Sequence, residues 1–159
     1  MIKTDQYFMD KAVEQALKAF SKNEVPIGAV LVDHAGQIVA NGYNLVEHKK
    51  TQLAHAELIV LQKAAKKINS WRLDQMTLYV TVQPCMMCLG ALYLSRVSRV
   101  VYGTVSPKFG MSIDTPLTRG IYKNLSMKLE LMEYKKAKEI VRLFFQTKRS
   151  MKHVQKSGS

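Results

Sequence analysis

The segment Pro84-Cys85-Met86-Met87-Cys88 contains both cysteines of the chain, separated by two residues. Proline is well suited to the position that opens a helix, and the apolar pattern predicts a helix over 85–95. Two thiolates at this spacing can reach one metal ion from the first turn of a helix, whose positive end favours the thiolate form. The same spacing also serves redox exchange and forms half of many structural zinc sites. Taken alone, the segment leaves all three kinds of site open.

His55 and Glu57, about thirty residues upstream, narrow this choice. The pattern predicts a helix over 53–68, which places both residues in its first turn. His55 with Cys85 and Cys88 offers one imidazole and two thiolates, which are ligands that zinc prefers. Three ligands leave one coordination position open for water, and this distinguishes a catalytic zinc site from a closed structural one.

Glu57 provides the carboxylate that a hydrolytic zinc site needs. Zinc lowers the pKa of a bound water to about 7, but the proton must still be accepted and delivered elsewhere. Positions i and i+2 do not share a helix face, so Glu57 can lie over the open position while His55 binds the metal. His34, His48 and His153 are the other histidines, and none has the spacing of a second half-site, so a closed structural site is the weaker interpretation.

Length and composition indicate one globular domain, with 159 residues, 47% of them hydrophobic and 23% charged. We find no apolar leader and no run of about 18 apolar residues, so we expect neither secretion nor a membrane span. Two cysteines without these features suggest a reduced, cytoplasmic protein. We expect one domain over residues 1–150, followed by a basic, flexible tail over 151–159.

A net charge of +12 predicts a polyanionic partner. From residue 135 to the end, eight basic residues accompany a single acid, a net charge of +7. A solvated basic end and a nucleic-acid contact surface are both compatible with this excess. Phe144 and Phe145 beside Lys148 and Arg149 combine a stacking or packing surface with phosphate-binding charge. We expect at least one of the two phenylalanines to lie in the core.

Periodicity predicts nine elements in the order α-β-β-α-β-α-β-β-α, and therefore a mixed sheet with helices on both faces. The predicted helices cover 5–22, 53–68, 85–95 and 135–152, and the predicted strands cover 27–32, 37–41, 76–82, 97–103 and 127–134. Residues 33–36 are expected to form a hairpin turn with Gly36 at positive φ. The irregular stretch 104–119 has the length of a functional loop.

His55-Ala56-Glu57 followed by Pro84-Cys85-Met86-Met87-Cys88 resembles the His-x-Glu…Pro-Cys-x-x-Cys signature of zinc-dependent nucleobase deaminases. The likeness to bacterial tRNA-specific adenosine deaminases runs from residue 25 to residue 149. The resemblance implies an α/β protein with the three-layer α/β/α cytidine deaminase-like fold and a central mixed five-stranded sheet. It also implies a homodimer with one zinc ion per subunit, held by the histidine and the two cysteines.

The resemblance further implies hydrolytic deamination of adenosine to inosine at the wobble position of a tRNA anticodon. In that scheme water attacks C6 of a flipped adenine, while Glu57 takes its proton, passes it to the ring nitrogen and helps ammonia leave. Asn44 would hydrogen-bond the target nucleotide, Val25 and Ala56 would line the base pocket, and Lys108 would contact the anticodon stem-loop. Without the resemblance, Asn44 is a turn residue and the two apolar residues are plain packing.

Two residues depart from the pattern of this family. Gln83 stands where a glutamate usually precedes the Pro-Cys pair, and Ser106 stands where an acid is usual. We expect an altered hydrogen-bond environment around the metal site rather than an inactive one. We also expect a changed contact between the Ser106 region and the anticodon loop.

Two other functions share some of these features. A deaminase of a free base or nucleoside such as cytosine, cytidine or guanine would share the fold and the zinc chemistry. A non-catalytic RNA-binding module would carry a structural metal, but such a site has no use for Glu57. The charge of +12 favours tRNA over a small neutral base. Leu89, Leu92 and Tyr93 fit either a dimer contact or the core.

Overall fold

The computed structural model describes residues 4–112 and 126–157, with side chains as far as Met151. Its strands are β1 (Gly28–Val32), β2 (Ile38–Tyr43), β3 (Thr77–Val80), β4 (Arg99–Tyr102) and β5 (Lys128–Leu131). Its helices are α1 (Asp5–Ser21), α2 (Val46–Lys49), α3 (Ala56–Ile68), α4 (Met86–Leu94) and α5 (Lys135–Ser157).

The five strands form one mixed sheet in the order β2-β1-β3-β4-β5, which confirms the predicted fold class. Strand β1 is antiparallel to both β2 and β3, whereas β3, β4 and β5 are parallel. The carboxyl ends of the three parallel strands therefore meet at one edge. Because Gly28 pairs with Tyr43 and Ala29 pairs with Val80, the start of β1 and the end of β2 lie at that same edge.

Alternate residues of β1 face opposite sides of the sheet, and both sides are covered. Ala29 and Leu31 pack in the core that includes residues of α3 and α4. Val30 and Val32 pack in a second core with Phe8 and other residues of α1. All five residues of β1 are buried, as expected for a strand in the middle layer of three. The predicted three-layer arrangement is confirmed.

Helix boundaries differ from the prediction where tertiary contacts decide them. The helix predicted over 53–68 begins at Ala56, because His55 is extended and separates it from a short 3₁₀ helix, Gln52–Ala54. Helix α2 was not predicted. Helix α5 continues to Ser157, five residues past the predicted end at 152, since glycine first follows at Gly158. The predicted division of the chain at residue 150 falls inside this helix and stays a prediction.

The hairpin turn and the first helix start are as predicted. Gly36 has φ of 74°, and Asp33 Oδ1 accepts hydrogen bonds from the backbone of Ala35 and Gln37. Thr4 caps α1 by accepting a hydrogen bond from the backbone of Tyr7. Residues 104–112 form a loop, and the rest of the predicted irregular stretch lies outside the described residues.

None of the helices in the described ranges combines the length and the apolar character that crossing a bilayer requires.

On α4, Leu89 and Leu92 point into the core. This resolves the choice between a dimer contact and the core, which the sequence left open for these two residues.

Candidate metal centre and the surfaces around it

His55 and Cys85 occupy equivalent positions, each immediately before the first residue of a helix. Their backbones are extended, with ψ of 146° and 171°, and neither side chain makes an N-cap hydrogen bond. Both side chains are therefore free to bind a metal ion at the N-terminal ends of α3 and α4. Cys85 follows β3 closely, so this junction lies at the sheet edge where the parallel strands end.

The three predicted ligands come together. His55 Nδ1 lies 3.7 Å from Cys85 Sγ and 3.4 Å from Cys88 Sγ, and all three ligand atoms lie within 4.8 Å of one another. Tetrahedral zinc with Zn–S bonds of about 2.3 Å and Zn–N bonds of about 2.0 Å separates nitrogen from sulfur by about 3.5 Å. The spacing and the donor set therefore fit one zinc ion.

The opposite ring nitrogen of His55 supports the same assignment. Nε2 lies 3.3 Å from Gln52 Oε1, so a proton on Nε2 leaves the lone pair on Nδ1, the atom that faces the sulfurs. The cluster contains neither His34 nor His48, and the side chain of His153 lies outside the described part of the chain. The described residues thus offer three ligands, as predicted for an open site.

The pKa values of the two cysteines shift in opposite directions. A hydrogen bond from the Cys88 thiol, together with His55, lowers the pKa of Cys85 to about 4 although burial opposes the shift. The hydrogen bond to Cys85 and then burial raise the pKa of Cys88 well above its ordinary value. The lowered pKa of Cys85 favours its thiolate form, which is the form that binds metal ions.

Glu57, the second residue of α3, is 3% exposed and has an unusual hydrogen-bond environment. Burial raises its pKa, while its own backbone N–H and His55 oppose the shift. Among the described residues, its Oε2 is the only buried side-chain oxygen or nitrogen without a hydrogen-bond partner. Buried polar atoms are nearly always paired. This carboxylate oxygen therefore marks the place where a water or a substrate atom belongs.

The residues predicted to bind the base lie at the same edge of the sheet. Asn44 is buried just after β2, and its backbone N–H donates to Ile27 O at 2.9 Å. The next residue donates to Ala54 O at 3.0 Å, which ties this loop to the residue before His55. Val25 is half-buried, and Ala56 is fully buried. Their roles in substrate binding stay predictions.

Glu24 was not singled out from the sequence, although it is almost completely buried beside these residues. Its Oε1 accepts from the backbone N–H of His48 at 2.7 Å, and its Oε2 accepts from that of Glu47 at 3.1 Å. Asn44 Nδ2 lies 3.5 Å from the same Oε2. Glu24 thus acts as the N-cap of α2, although it belongs to a different segment of the chain. Nothing local in the sequence indicates such a contact.

A groove of about 690 Å³ lies between the turn after α1, helix α2 and helix α5. It is lined by Lys22, Asn23, Glu24, Val25, Glu47, His48, Lys50, Phe144, Phe145, Lys148 and Arg149. Three residues predicted to bind RNA, Phe145, Lys148 and Arg149, therefore share one surface with Val25. Lys22 and Lys50 were missed, because from the sequence alone a lysine at a helix end or in a loop looks like an ordinary solvated charge.

The two adjacent phenylalanines have different environments. Phe144 is buried, with its ring 6.0 Å from that of Phe20 and the Lys148 ammonium 5.5 Å from its centre. Phe145 is 44% exposed at the groove. The expectation that at least one of them belongs to the core is confirmed.

Lys108, the fourth predicted RNA contact, lies exposed on the 104–112 loop and does not line the groove. This loop is bonded to the segment before Cys85. Gln83 N–H donates to Thr104 O at 2.8 Å, and Met111 N–H donates to Pro84 O at 2.9 Å. The loop that carries Lys108 is therefore joined to the segment that leads to Cys85.

Comparisons with a family model, with sequence relatives and with solved structures all relate this chain to deaminases. Residues 3–149 match the model of the MafB19-like deaminase family. The chain is 35% identical to the tRNA-specific adenosine deaminase of Aquifex aeolicus, over 91% of this chain and 96% of that protein. It is 50% identical to that of Bacillus subtilis, over 68% of this chain and 66% of that protein. A structure solved in a study of A-to-I editing by tRNA:A34 deaminases has a TM-score of 0.72 and 32% identity, covering 80% of this chain and 98% of that one.

Proposed function

We propose that this protein, which belongs to the family of tRNA-specific adenosine deaminases, hydrolyses adenosine to inosine at the wobble position of tRNA. The observation that supports this proposal most is the unpaired Oε2 of Glu57 next to three zinc-type ligands. A structural metal site needs no such carboxylate, whereas hydrolysis requires a group that accepts and delivers protons.

His55, Cys85 and Cys88 would hold one zinc ion per subunit, which when bound supplies the Lewis acidity that makes water reactive at neutral pH. Glu57 accepts a proton from the attacking water and delivers it to the ring nitrogen of adenine. It then assists protonation of the leaving amine, so that water and adenosine become inosine and ammonia. Its free Oε2 suits this cycle, because proton transfer needs a carboxylate oxygen that no other group occupies.

The flipped base is expected to enter between residues 24–25, which precede β1, and the loop after β2 that begins at Asn44 (the Asn44 loop). Asn44 hydrogen-bonds the nucleotide, and Val25 and Ala56 supply the apolar walls against which a purine packs. The fixed backbone of this loop supports the assignment, since Glu24 accepts hydrogen bonds from the backbone of Glu47 and His48, and Ile27 O accepts one from that of Asn44. A preorganised pocket lowers the entropic cost of orienting the substrate.

The groove beside Val25 is the proposed path of the anticodon stem-loop. Lys148 and Arg149 on one side, and Lys22 on the other, provide charges for phosphate oxygens. The exposed ring of Phe145 provides a surface on which an unpaired base can stack. Lys108 adds a contact to the RNA from the 104–112 loop, which is hydrogen-bonded to the segment before Cys85.

Helix α4 supports a homodimer. It contains no charged residue, yet Met86 and Leu94 are 57% and 69% exposed and Met87 is partly so. An apolar helix of this kind is usually covered on all sides. Because Met86 and Met87 lie between the two cysteine ligands, a second copy on this face would border the metal centre. A tRNA substrate and two free cysteines support a cytoplasmic location.

The experiment compares total tRNA with free adenosine, cytidine, cytosine and guanine as substrates of the zinc-loaded protein. Products are identified by mass spectrometry, after nuclease digestion in the case of tRNA. We expect inosine from tRNA and no conversion of the free compounds. Uridine, uracil or xanthine from the free compounds, with tRNA unchanged, would replace the proposal with its alternative.

A further inference from the structure

The side chain of Gln83 bridges two backbone groups of the 104–112 loop. Its Oε1 accepts from the backbone N–H of Ser106 at 3.2 Å, and its Nε2 donates to Met111 O at 3.1 Å. The orientation of the amide is unambiguous, because a backbone N–H can only donate and a backbone carbonyl can only accept. The two positions that depart from the family pattern, Gln83 and Ser106, are therefore in contact.

Gly110 leaves the space that this amide occupies. A Cβ added to Gly110 would lie 2.2 Å from Gln83 Oε1 and 2.7 Å from Ser106 O. The Gly110 N–H donates to Ser106 O at 2.9 Å, so the loop closes on itself around the glutamine side chain. Any side chain at this position would displace the amide.

We propose that Gln83 is a positioning residue whose amide, seated over Gly110, fixes the 104–111 loop against the segment that carries Cys85. A glutamate could not do this as a carboxylate, because it has no donor for Met111 O and would place two acceptors against each other. The loop carries Lys108 and the 73% exposed Phe109, so its position decides where these side chains stand relative to the metal centre. That they contact RNA rests on the proposed function, whereas the restraint of the loop does not.

The test measures trypsin cleavage after Lys108 in the folded, zinc-loaded protein. The variants are Gln83→Glu, Gln83→Ala, Gly110→Ala and the double variant Gln83→Ala/Gly110→Ala. The exposed Gln37→Glu is the matched control for the change in charge. We expect each single variant to be cut about tenfold faster than the wild type, because loss of the two hydrogen bonds favours local opening. The double variant is expected to be cut no faster than the single ones, since both changes remove one contact.

Deamination kinetics on tRNA and zinc content complete the test. We expect KM to rise several-fold for the Gln83 variants, with a smaller change in kcat and one zinc ion retained per chain. Unchanged cleavage in Gln83→Glu, additive effects of Gln83→Ala and Gly110→Ala, or loss of zinc together with kcat would each overturn the proposal. Faster cleavage with unchanged KM would support the restraint and remove Lys108 from the RNA contacts. If the protein does not deaminate tRNA at all, the cleavage result still stands on its own.

Discussion

Glu24 and Glu57 are both buried carboxylates at the same edge of the sheet, but their hydrogen bonds give them opposite roles. Both oxygens of Glu24 accept hydrogen bonds from N–H groups of the neighbouring loop. Glu57 leaves Oε2 without a partner. A carboxylate with both oxygens hydrogen-bonded holds structure, whereas one with a free oxygen can take up a proton. The pattern of partners, rather than burial itself, distinguishes the two.

Replacing Glu24 by alanine is expected to destabilise helix α2 and to lower the stability of the whole fold. The backbone N–H groups of Glu47 and His48 would lose a charged acceptor, and a hydrogen bond to a charged group contributes about 1.5–3 kcal/mol. We expect the free energy of unfolding to fall by about 2–3 kcal/mol in urea titrations. Glu47→Ala is the control, because that side chain is 76% exposed and its loss should matter little. Equal stability of the two variants would show that Glu24 does not cap α2.

At the scale of elements, the parts that were predicted correctly are those that local pattern determines. Apolar periodicity located the five strands and the four long helices, since each buries a face whose spacing is visible along the chain. Helix α2 was missed because its amides are capped by Glu24, twenty or more residues away. The start of α3 was placed three residues early, because the extended backbone of His55 follows from its place in the site rather than from propensity.

Arg99 on β4 joins α1 to the sheet through an ion-pair network. Its guanidinium donates to Asp5 at 2.7 Å and to Glu130 at 2.6 Å, and Tyr79 donates to Asp5 at 2.6 Å. The hydrogen bond from Arg99 lowers the pKa of Asp5 below its ordinary value of 3.8. Since the folded-state pKa is the lower one, this contribution to stability is present above about pH 4 and is lost as the pH falls through the folded value.

Asp5→Asn should therefore lower the free energy of unfolding at pH 7, and the difference from wild type should shrink below about pH 4. Urea unfolding at pH 7, 5, 4 and 3 measures this difference. Asp74→Asn serves as control, because Asp74 pairs at the surface with Arg72 two residues away. A difference for Asp5→Asn that stays constant over this range would contradict the role given to the network.

The exposed apolar face of α4 gives a second prediction at this scale. A charge at Leu94 should prevent a second copy from covering this face, so Leu94→Glu is expected to sediment as a monomer where the wild type sediments as a dimer. Leu17→Glu introduces the same change at an exposed leucine of α1 and should leave the dimer intact. A monomeric wild type, or loss of the dimer in both variants, would argue against an interface on α4.

At the scale of the whole molecule, one edge of the sheet gathers the metal centre, the Asn44 loop and the groove along α5. Residue type and spacing allowed the clustering of His55, Cys85 and Cys88 to be predicted, whereas the role of Glu57 stays a prediction. The sequence did not reveal that Lys22 and Lys50 line the same groove as Lys148 and Arg149, since that depends on how α1, α2 and α5 pack together. Surfaces built from distant segments are visible only in the folded chain.

This groove predicts how tRNA binding depends on salt. Each phosphate contact contributes a slope of about −0.7 to −0.9 to the plot of log affinity against log salt concentration. Lys148→Gln and Arg149→Gln should each weaken binding and reduce the slope by about that amount for one contact. Lys66→Gln, an exposed lysine on α3, is the control. Slopes equal to that of the wild type in both groove variants would exclude the groove as the path of the RNA.

The central claim is that Glu57 transfers protons while a tRNA adenosine is hydrolysed. This reaction takes place at the metal site formed by His55, Cys85 and Cys88. The most direct test of this claim is to map inosine at position 34 of a tRNA after incubation with wild-type or Glu57→Gln protein of measured zinc content. We predict one inosine, at position 34, with the wild type. For the variant we predict full zinc content and a rate lower by about 10²–10⁴-fold, because an amide cannot accept the proton. Inosine formed by the variant at nearly the wild-type rate would contradict the account.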